Sequence, residues 1–169
     1  MDYNKLIRNI PDFPKKGIIF KDITTLLSNK EAYNHLMQTI KVRYKKYNID
    51  KIIGIEARGF ILGSALAVLL NCAFIPIRKK GKLPYNTFSE TYDLEYGQDT
   101  LEIHSDAIDK QDNVIIIDDV LATGGTINAS IKLLDNFEVN IIETFFLLEI
   151  LKLEGSKNVN SKYFSLIKS

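Results

Sequence analysis

The spacing of apolar residues divides the chain into two kinds of segment. Between residues 30 and 47 they recur at steps of three and four, the period of a helix with one buried face. Elsewhere they form short runs rich in Ile and Val, which are typical of strands buried on both faces. The predicted elements are a helix over 30–47, a strand over 52–55, a helix over 60–70, strands over 73–77 and 113–117, a helix over 125–136 and a strand over 141–149. This order predicts an α/β fold with a doubly wound, mainly parallel sheet, whose ligand should lie beyond the carboxyl ends of the strands.

Residues 79–111 depart from this pattern. They are polar and rich in turn-forming residues, and apolar and polar residues alternate over 91–96 and again over 100–104. We therefore expect an antiparallel edge hairpin beside the parallel sheet, with a flexible flap over about 79–97.

One uncharged run, residues 59–77, reaches the length of a membrane-spanning helix. It divides at Asn71 into a helical part and a strand-like part, with Pro76 inside the second. A buried helix that leads into a buried strand explains it better than a membrane span.

Composition narrows the class of protein further. The length of 169 residues predicts one compact domain, and a net charge of +1 excludes attraction of the whole molecule to nucleic acid or anionic lipid. Cys72 is the single cysteine, which favours a reducing compartment, and the amino terminus lacks the order of a secretory signal. The cytoplasm is the expected location.

The segment 114–126 carries the strongest chemical signal. A buried strand leads to two acids and then to a loop of small residues that opens a helix. Glycines tolerate positive φ and leave backbone N–H groups accessible, and the helix dipole favours an anion at that end. The loop carries no lysine and therefore suits a phosphate that is held but does not react. Its residues are Ala122, Thr123, Gly124, Gly125 and Thr126.

The adjacent acids, Asp118 and Asp119, indicate a second ligand group. Successive side chains diverge as a strand ends, so the two carboxylates are poorly arranged to grip one metal ion together and suit two separate hydroxyls. A phosphate cradle beside two hydroxyl acceptors outlines a ribose 5-phosphate site. An ordinary strand-to-helix turn with acids would explain neither the pair nor the double glycine.

Cations follow two other predicted strands. Arg58 comes after the strand over 52–55, and the run 78–82 supplies four cations in five residues after the strand over 73–77. Parallel strands bring their carboxyl ends to one edge of the sheet, so these charges should lie near the phosphate loop. A merely solvated basic loop is the alternative.

The 114–126 string resembles the phosphoribosyl pyrophosphate signature of the type I phosphoribosyltransferase family. Four further blocks resemble the branch of that family that acts on adenine: 13–23, 56–60, 78–84 and 92–97. The resemblance runs from about Ile10 to Lys152. It implies the fold of that family, with an amino-terminal hood over about 1–32, a core over about 33–152 and the flap over 79–97.

The resemblance also implies roles for residues at the two ends of the sugar. Residues 122–126 would hold the 5-phosphate, and Asp118 and Asp119 would face the ribose hydroxyls. Arg58, Lys79 and Lys82 would serve the pyrophosphate, together with a Mg²⁺ ion bound mainly through substrate oxygens.

For the base and the chemistry, the resemblance implies contacts from Ile19, Lys21 and Ile150, although many relatives carry arginine at the position of Lys21. Arg58 and Glu95 would be catalytic, with Glu95 taking a proton from the base, and Tyr96 would lie over the reacting site. The expected substrates are adenine and 5-phosphoribosyl 1-pyrophosphate, and the expected assembly is a homodimer.

Two alternatives stay open. The enzyme could act on another purine, namely hypoxanthine, guanine or xanthine. From a different class, the chain could be a regulator that senses phosphoribosyl pyrophosphate and binds DNA or RNA without turnover. A basic run confined to one loop and the near-neutral charge give that second alternative little support.

Overall fold

The computed structural model describes residues 1–93 and 97–169. By their contacts the described residues form two compact units, Met1–Tyr44 and Lys45–Ser169. No helix in the described ranges is both long enough and apolar enough to cross a membrane.

The first unit contains a small antiparallel sheet and two helices. β1 (Arg8–Pro11) pairs with β2 (Ile19–Asp22), and α1 (Thr24–Leu27) follows directly. Asp22 fixes this junction, because it accepts hydrogen bonds from the N–H of Thr24 at 2.9 Å and from Arg8 Nη2 at 2.6 Å. Bonds from Thr24 and then Arg8 lower the pKa of Asp22 to about 2.

The predicted amphipathic helix of this unit is α2 (Lys30–Tyr44). Asn29 caps its start by accepting a hydrogen bond from the N–H of Ala32 at 3.0 Å. Leu36 and Ile40 are almost fully buried, as the helical spacing requires. The prediction extended this helix to Tyr47, because Tyr47 continues the apolar spacing. The helix ends three residues earlier, and Tyr47 lies in a bend and is only partly buried.

The second unit is built on a seven-stranded sheet. Its strands lie in the order β5-β6-β4-β3-β7-β8-β9; β3, β4, β7, β8 and β9 pair in parallel, whereas β5 and β6 form an antiparallel hairpin on the edge of β4. The prediction of a mainly parallel sheet with an edge hairpin is therefore confirmed. The elements are β3 (Lys51–Ile55), α3 (Arg58–Leu70), β4 (Ala73–Lys79), β5 (Thr87–Asp93), β6 (Gln98–His104), β7 (Asn113–Leu121), α4 (Gly125–Leu134), β8 (Asn140–Glu149) and β9 (Tyr163–Lys168).

The core lies on both faces of the central strands. On one face Ile53 and Ile116 belong to a buried cluster with Leu133 of α4. On the other face α3 lies close to β3, since the ring of Phe74 fills the space where a Cβ on Gly54 or Gly63 would lie, at 2.6 and 2.9 Å. The small residues let α3 approach the sheet, which places its first turn beside the carboxyl end of β7.

Several boundaries differ from the sequence prediction, and two of these differences change the site. β7 continues past residue 117, because β8 runs beside it as far as Glu149, so Asp118 and Asp119 belong to the strand. α3 begins at Arg58, two residues before the predicted start. β5 begins at Thr87, four residues before the predicted alternation over 91–96, and β6 begins at Gln98, two residues before the predicted alternation over 100–104. The sequence prediction also lacked β9, which pairs with the carboxyl half of β8.

Candidate active site

The central feature of the site is the loop that joins β7 to α4. It runs from Ala122 to Gly124, which has a φ of 90°, a left-handed value that favours glycine. The first hydrogen bond of α4 runs from the N–H of Asn128 to the carbonyl of Gly124 at 3.1 Å. The N–H groups of residues 125–127 precede that bond, so they belong to the first turn, whose donors have no partner within a helix.

A cavity of ≈ 50 Å³ lies against this loop. Loop residues 122–124 line it together with Thr126, and Asp118 faces it from β7. The structure therefore brings four of the five predicted phosphate-loop residues and one predicted ribose contact to the same small space, whereas Gly125 lines an adjoining groove. Ile127 and Phe146 also line the cavity and were missed by the sequence analysis, since apolar core residues carry no chemical signal.

The two adjacent acids have different partners. Asp119 is 5% exposed, and its Oδ2 lies 2.8 Å from Arg58 Nε. Among the described residues that oxygen has no hydrogen-bond partner, so its contact with Arg58 is an ion pair. Asp118 Oδ1 accepts the N–H of Asp119 at 2.8 Å. A Cβ on Gly59 would lie 2.7 Å from the carbonyl of Ile117, so a glycine there lets α3 carry Arg58 up to the pair.

Burial raises the pKa of both carboxyls. For Asp118 burial, and then the neighbouring charge of Asp119, raise the pKa well above its ordinary value. For Asp119 burial raises the pKa more than the Arg58 guanidinium lowers it. With only Arg58 beside them, Asp118 and Asp119 therefore resist full ionisation. Additional positive charge or hydrogen-bond donors would favour their charged forms.

The side chain of Glu56 connects the end of β3 to the end of β4. The sequence analysis did not single out this residue. Its Oε2 lies 3.2 Å from Arg78 Nε and accepts the N–H of Lys79 at 3.0 Å. Burial acts to raise the pKa of Glu56, but the Lys79 N–H and the Arg78 guanidinium outweigh it and lower the pKa. The start of the basic run is thus fixed to the strand that leads to Arg58.

The predicted pyrophosphate lysines lie on this same edge. Lys79 Nζ is 2.9 Å from Asp99 Oδ2 of β6, and the hydrogen bond and charge of Asp99 raise the pKa of Lys79. Lys82 is exposed, and its carbonyl accepts a bond from Arg78 Nη1 at 3.2 Å. Arg58 and Lys79 are therefore both held by carboxylates of the chain.

The edge hairpin packs against α4. Thr126 Oγ1 donates to Tyr92 Oη at 3.4 Å, and Lys132 Nζ lies 3.0 Å from Glu90 Oε1. A Cβ on Gly125 would lie 3.3 Å from the carbonyl of Asp93. β5 therefore ends at the phosphate loop, and Tyr92 contacts a predicted phosphate ligand. Glu95 and Tyr96, assigned to catalysis and to the flap, lie outside the described residues.

The predicted base contacts fall in both units. Ile150 follows β8, and its N–H donates to the carbonyl of Leu121 at 3.0 Å, directly before the phosphate loop. Ile19 and Lys21 lie on β2 in the first unit; Ile19 is 57% exposed and Lys21 is partly buried.

With this geometry, comparison with known proteins identifies the class. The family model described as the phosphoribosyl transferase domain matches residues 22–168. The chain therefore belongs to the phosphoribosyl transferase family, and the fold expected from the resemblance is confirmed.

The most similar relatives have one name in common. The adenine phosphoribosyltransferase of Citrifermentans bemidjiense is 52% identical over 168 residues, 99% of this chain and 98% of that protein. The crystal structure of the enzyme of that name from Thermoanaerobacter pseudethanolicus has a TM-score of 0.94 at 46% identity and covers 99% of this chain and 98% of its own. The Saccharomyces cerevisiae enzyme, solved with an imino-altritol bisphosphate and adenine, has a TM-score of 0.94 at 37% identity over 98% and 96% of the two chains.

The raised pKa of Asp118 predicts that the charged form of this side chain makes the folded protein less stable. The unfolded chain releases the proton of the Asp118 carboxyl at a lower pH than the folded chain does. The free energy of unfolding therefore falls as the pH rises above about 4, the ordinary pKa of an aspartic acid. Asp118→Asn keeps the acceptor for the Asp119 N–H and removes that loss. We expect the melting temperature of the variant to exceed that of the wild type by a margin that grows between pH 5 and pH 8. A margin that shrinks with rising pH would contradict the assignment.

Proposed function

We propose that the protein transfers the 5-phosphoribosyl group of 5-phosphoribosyl 1-pyrophosphate to adenine, which gives AMP and pyrophosphate. The observation that carries this function is the loop cavity with Asp118 beside it, in a chain about half identical over nearly its whole length to adenine phosphoribosyltransferases. Purine salvage is the corresponding role.

The phosphate end of the substrate is assigned to residues 122–126. Backbone N–H groups of this loop and the hydroxyls of Thr123 and Thr126 would surround a phosphate that does not react, and the start of α4 favours an anion. The ribose hydroxyls are assigned to Asp118 and Asp119. A hydroxyl donates a hydrogen bond to a carboxylate and so favours its charged form, which offsets the burial of these acids.

The pyrophosphate end is assigned to Arg58, Lys79 and Lys82. Cleavage of the bond between the anomeric carbon and the pyrophosphate oxygen leaves positive charge on the sugar and negative charge on the leaving group. Cations at the leaving group therefore lower the barrier, provided that they are in place beforehand. Arg58 is held by Asp119 and Lys79 by Asp99, so these cations are in position and exchange a carboxylate for the substrate's oxygens on binding.

We also propose that Mg²⁺ takes part. The described residues contain no group of three or more His, Cys, Asp or Glu side chains that could form a protein cage, and the donors at the site are carboxylate oxygens. Oxygen donors of this kind fit a hard ion that is held mainly by the oxygens of the pyrophosphate substrate and needs few protein ligands. When bound, the ion supplies neutralising charge to the pyrophosphate.

The base end of the site rests on the family resemblance. It assigns adenine to Ile19, Lys21 and Ile150, and the proton released as the ring nitrogen bonds to the anomeric carbon to Glu95. Tyr96 would cover the site, and closure of the flap would exclude water, the competing nucleophile. The homodimer and the cytoplasmic location stay predictions on the same basis.

The deciding experiment is an assay with radiolabelled adenine, 5-phosphoribosyl 1-pyrophosphate and Mg²⁺. We expect labelled AMP, with hypoxanthine, guanine and xanthine at least tenfold poorer as substrates. Preference for another purine would favour the first alternative. The regulator would be favoured by a salt-dependent complex with nucleic acid and no product from any base.

The pair Asp119 and Arg58 should matter far more for activity than for stability. Asp119→Asn removes a charge whose burial is unfavourable, and Arg58→Ala leaves a carboxyl that can take up a proton because its pKa is already raised. We expect each change to lower kcat/KM by about 10²- to 10³-fold, the typical effect of losing one group that stabilises developing charge. Melting temperatures measured on the same samples should change by a few degrees at most. Parallel losses of activity and melting temperature would contradict these roles.

Neighbouring lysines offer a matched test of the pyrophosphate assignment. Lys79 and Lys80 are adjacent and both exposed, but Lys79 Nζ is paired with Asp99 at the edge of the sheet. We expect Lys79→Ala to raise the KM for 5-phosphoribosyl 1-pyrophosphate about tenfold, since a charge-assisted contact contributes about 1.5 kcal/mol or more. Lys80→Ala should leave that KM within twofold of the wild type. Equal effects of the two changes would show that the run acts only through its total charge.

A further inference from the structure

We propose that Asn158 and Gly155, in the segment between β8 and β9, are positioning residues that orient the peptide groups of the phosphate loop. This inference rests on the proposed function of residues 122–126. The segment 155–158 forms a 3-10 turn that carries no motif of its own. It nevertheless touches the loop at consecutive peptide groups.

Asn158 fixes the peptide that joins Thr123 to Gly124. Its Nδ2 donates to the carbonyl oxygen of Thr123 at 3.0 Å. The C=O and N–H of a trans peptide point in opposite directions, so a carbonyl held toward Asn158 turns the N–H of Gly124 away from Asn158. Thr123 and Gly124 line the loop cavity, and Asn158 does not; Asn158 lines an adjoining open groove of ≈ 480 Å³, which Thr123 and Gly125 also line. This hydrogen bond therefore orients the N–H of Gly124 toward the proposed phosphate position.

Gly155 acts on the preceding peptide by shape. A Cβ on Gly155 would lie 2.0 Å from the carbonyl oxygen of Ala122, and a Cβ on Gly124 would lie 2.8 Å from the carbonyl of Gly155. Gly155 therefore contacts the carbonyl of Ala122, and Asn158 holds the carbonyl of Thr123, which is the next one along the loop. Two successive carbonyls held on one side leave two successive N–H groups on the other, which is the arrangement of an anion-binding nest.

Two further bonds hold the turn itself. Asn128, in the first turn of α4, donates through Nδ2 to the carbonyl of Asn158, and its Oδ1 accepts the N–H of Asn160 at 3.1 Å. The loop, the start of α4 and the 3-10 turn are thus joined in one ring of hydrogen bonds. Asn158 is itself exposed, so the ring orients the loop rather than forming part of the core.

An orienting role makes a specific kinetic prediction. The 5-phosphate does not react, so its contacts are the same in the bound substrate and in the transition state. Loss of such contacts raises KM and leaves kcat unchanged. One neutral hydrogen bond corresponds to about a five- to tenfold change in affinity.

The test compares Asn158→Ala with Asn160→Ala in the full-length protein. Asn160 is also exposed and supplies its backbone N–H, which alanine retains, so it controls for a change in the same segment. Titration calorimetry with ribose 5-phosphate measures the loop directly. We expect Asn158→Ala to weaken binding about five- to tenfold and to raise the KM for 5-phosphoribosyl 1-pyrophosphate by the same factor, with kcat within twofold, whereas Asn160→Ala should match the wild type.

Three results would overturn the proposal. They are ribose 5-phosphate affinity within twofold of the wild type in Asn158→Ala, equal weakening in Asn160→Ala, or a fall in kcat with unchanged KM. Should Asn158→Ala lose its fold, Asn158→Asp replaces it, since a carboxylate keeps the shape but cannot donate to the Thr123 carbonyl. A wild-type protein that binds ribose 5-phosphate but makes no AMP would instead contradict the proposed function.

Discussion

The candidate site depends on how negative charge is held at the carboxyl end of β7. Two consecutive acids lie there in a largely buried strand, and Asp119 is balanced by Arg58 at 2.8 Å. Burial disfavours the charged form of both acids, and the proposed contacts with ribose hydroxyls would offset this cost. The close packing of α3 on the sheet, through Gly59 and Gly63, is what brings the guanidinium to that point.

The cations at the carboxyl edge of the parallel sheet are also paired with acids of the chain. Arg78 is paired with Glu56 and Lys79 with Asp99, in addition to Arg58 with Asp119. The Lys79 side chain is 57% exposed, and an exposed pair contributes at most about 1 kcal/mol, so Asp99 would compete only weakly with the proposed pyrophosphate contact of Lys79. The Arg58 side chain is 35% exposed, so water and salt screen its ion pair with Asp119 less. The acids thus keep the cations in position without competing strongly for all of them.

The sequence predicted the parts of the fold whose signal is local. β3 and β4 were predicted from their apolar runs, and the acids and the glycine loop were found because their pattern is compact. The extent of β7 could not be predicted from its own residues, since the pairing of Asp118 with Phe146 depends on a strand that follows much later in the chain. Glu56 and Asn158 escaped notice for a similar reason: their roles are set by partners 22 and 35 positions away.

The loop illustrates why such distant contacts are needed. Glycines allow the chain to adopt the left-handed turn at Gly124, but they also leave the unbound loop with more conformations than other residues would. Ordering one residue costs about 1–2 kcal/mol, and if that cost fell on substrate binding it would reduce affinity directly. The bonds from Asn158 and the close fit of Gly155 order the loop during folding instead. The glycine loop therefore depends on the segment between β8 and β9 for its shape, and the core strand β8 that carries this segment is part of the binding site's construction.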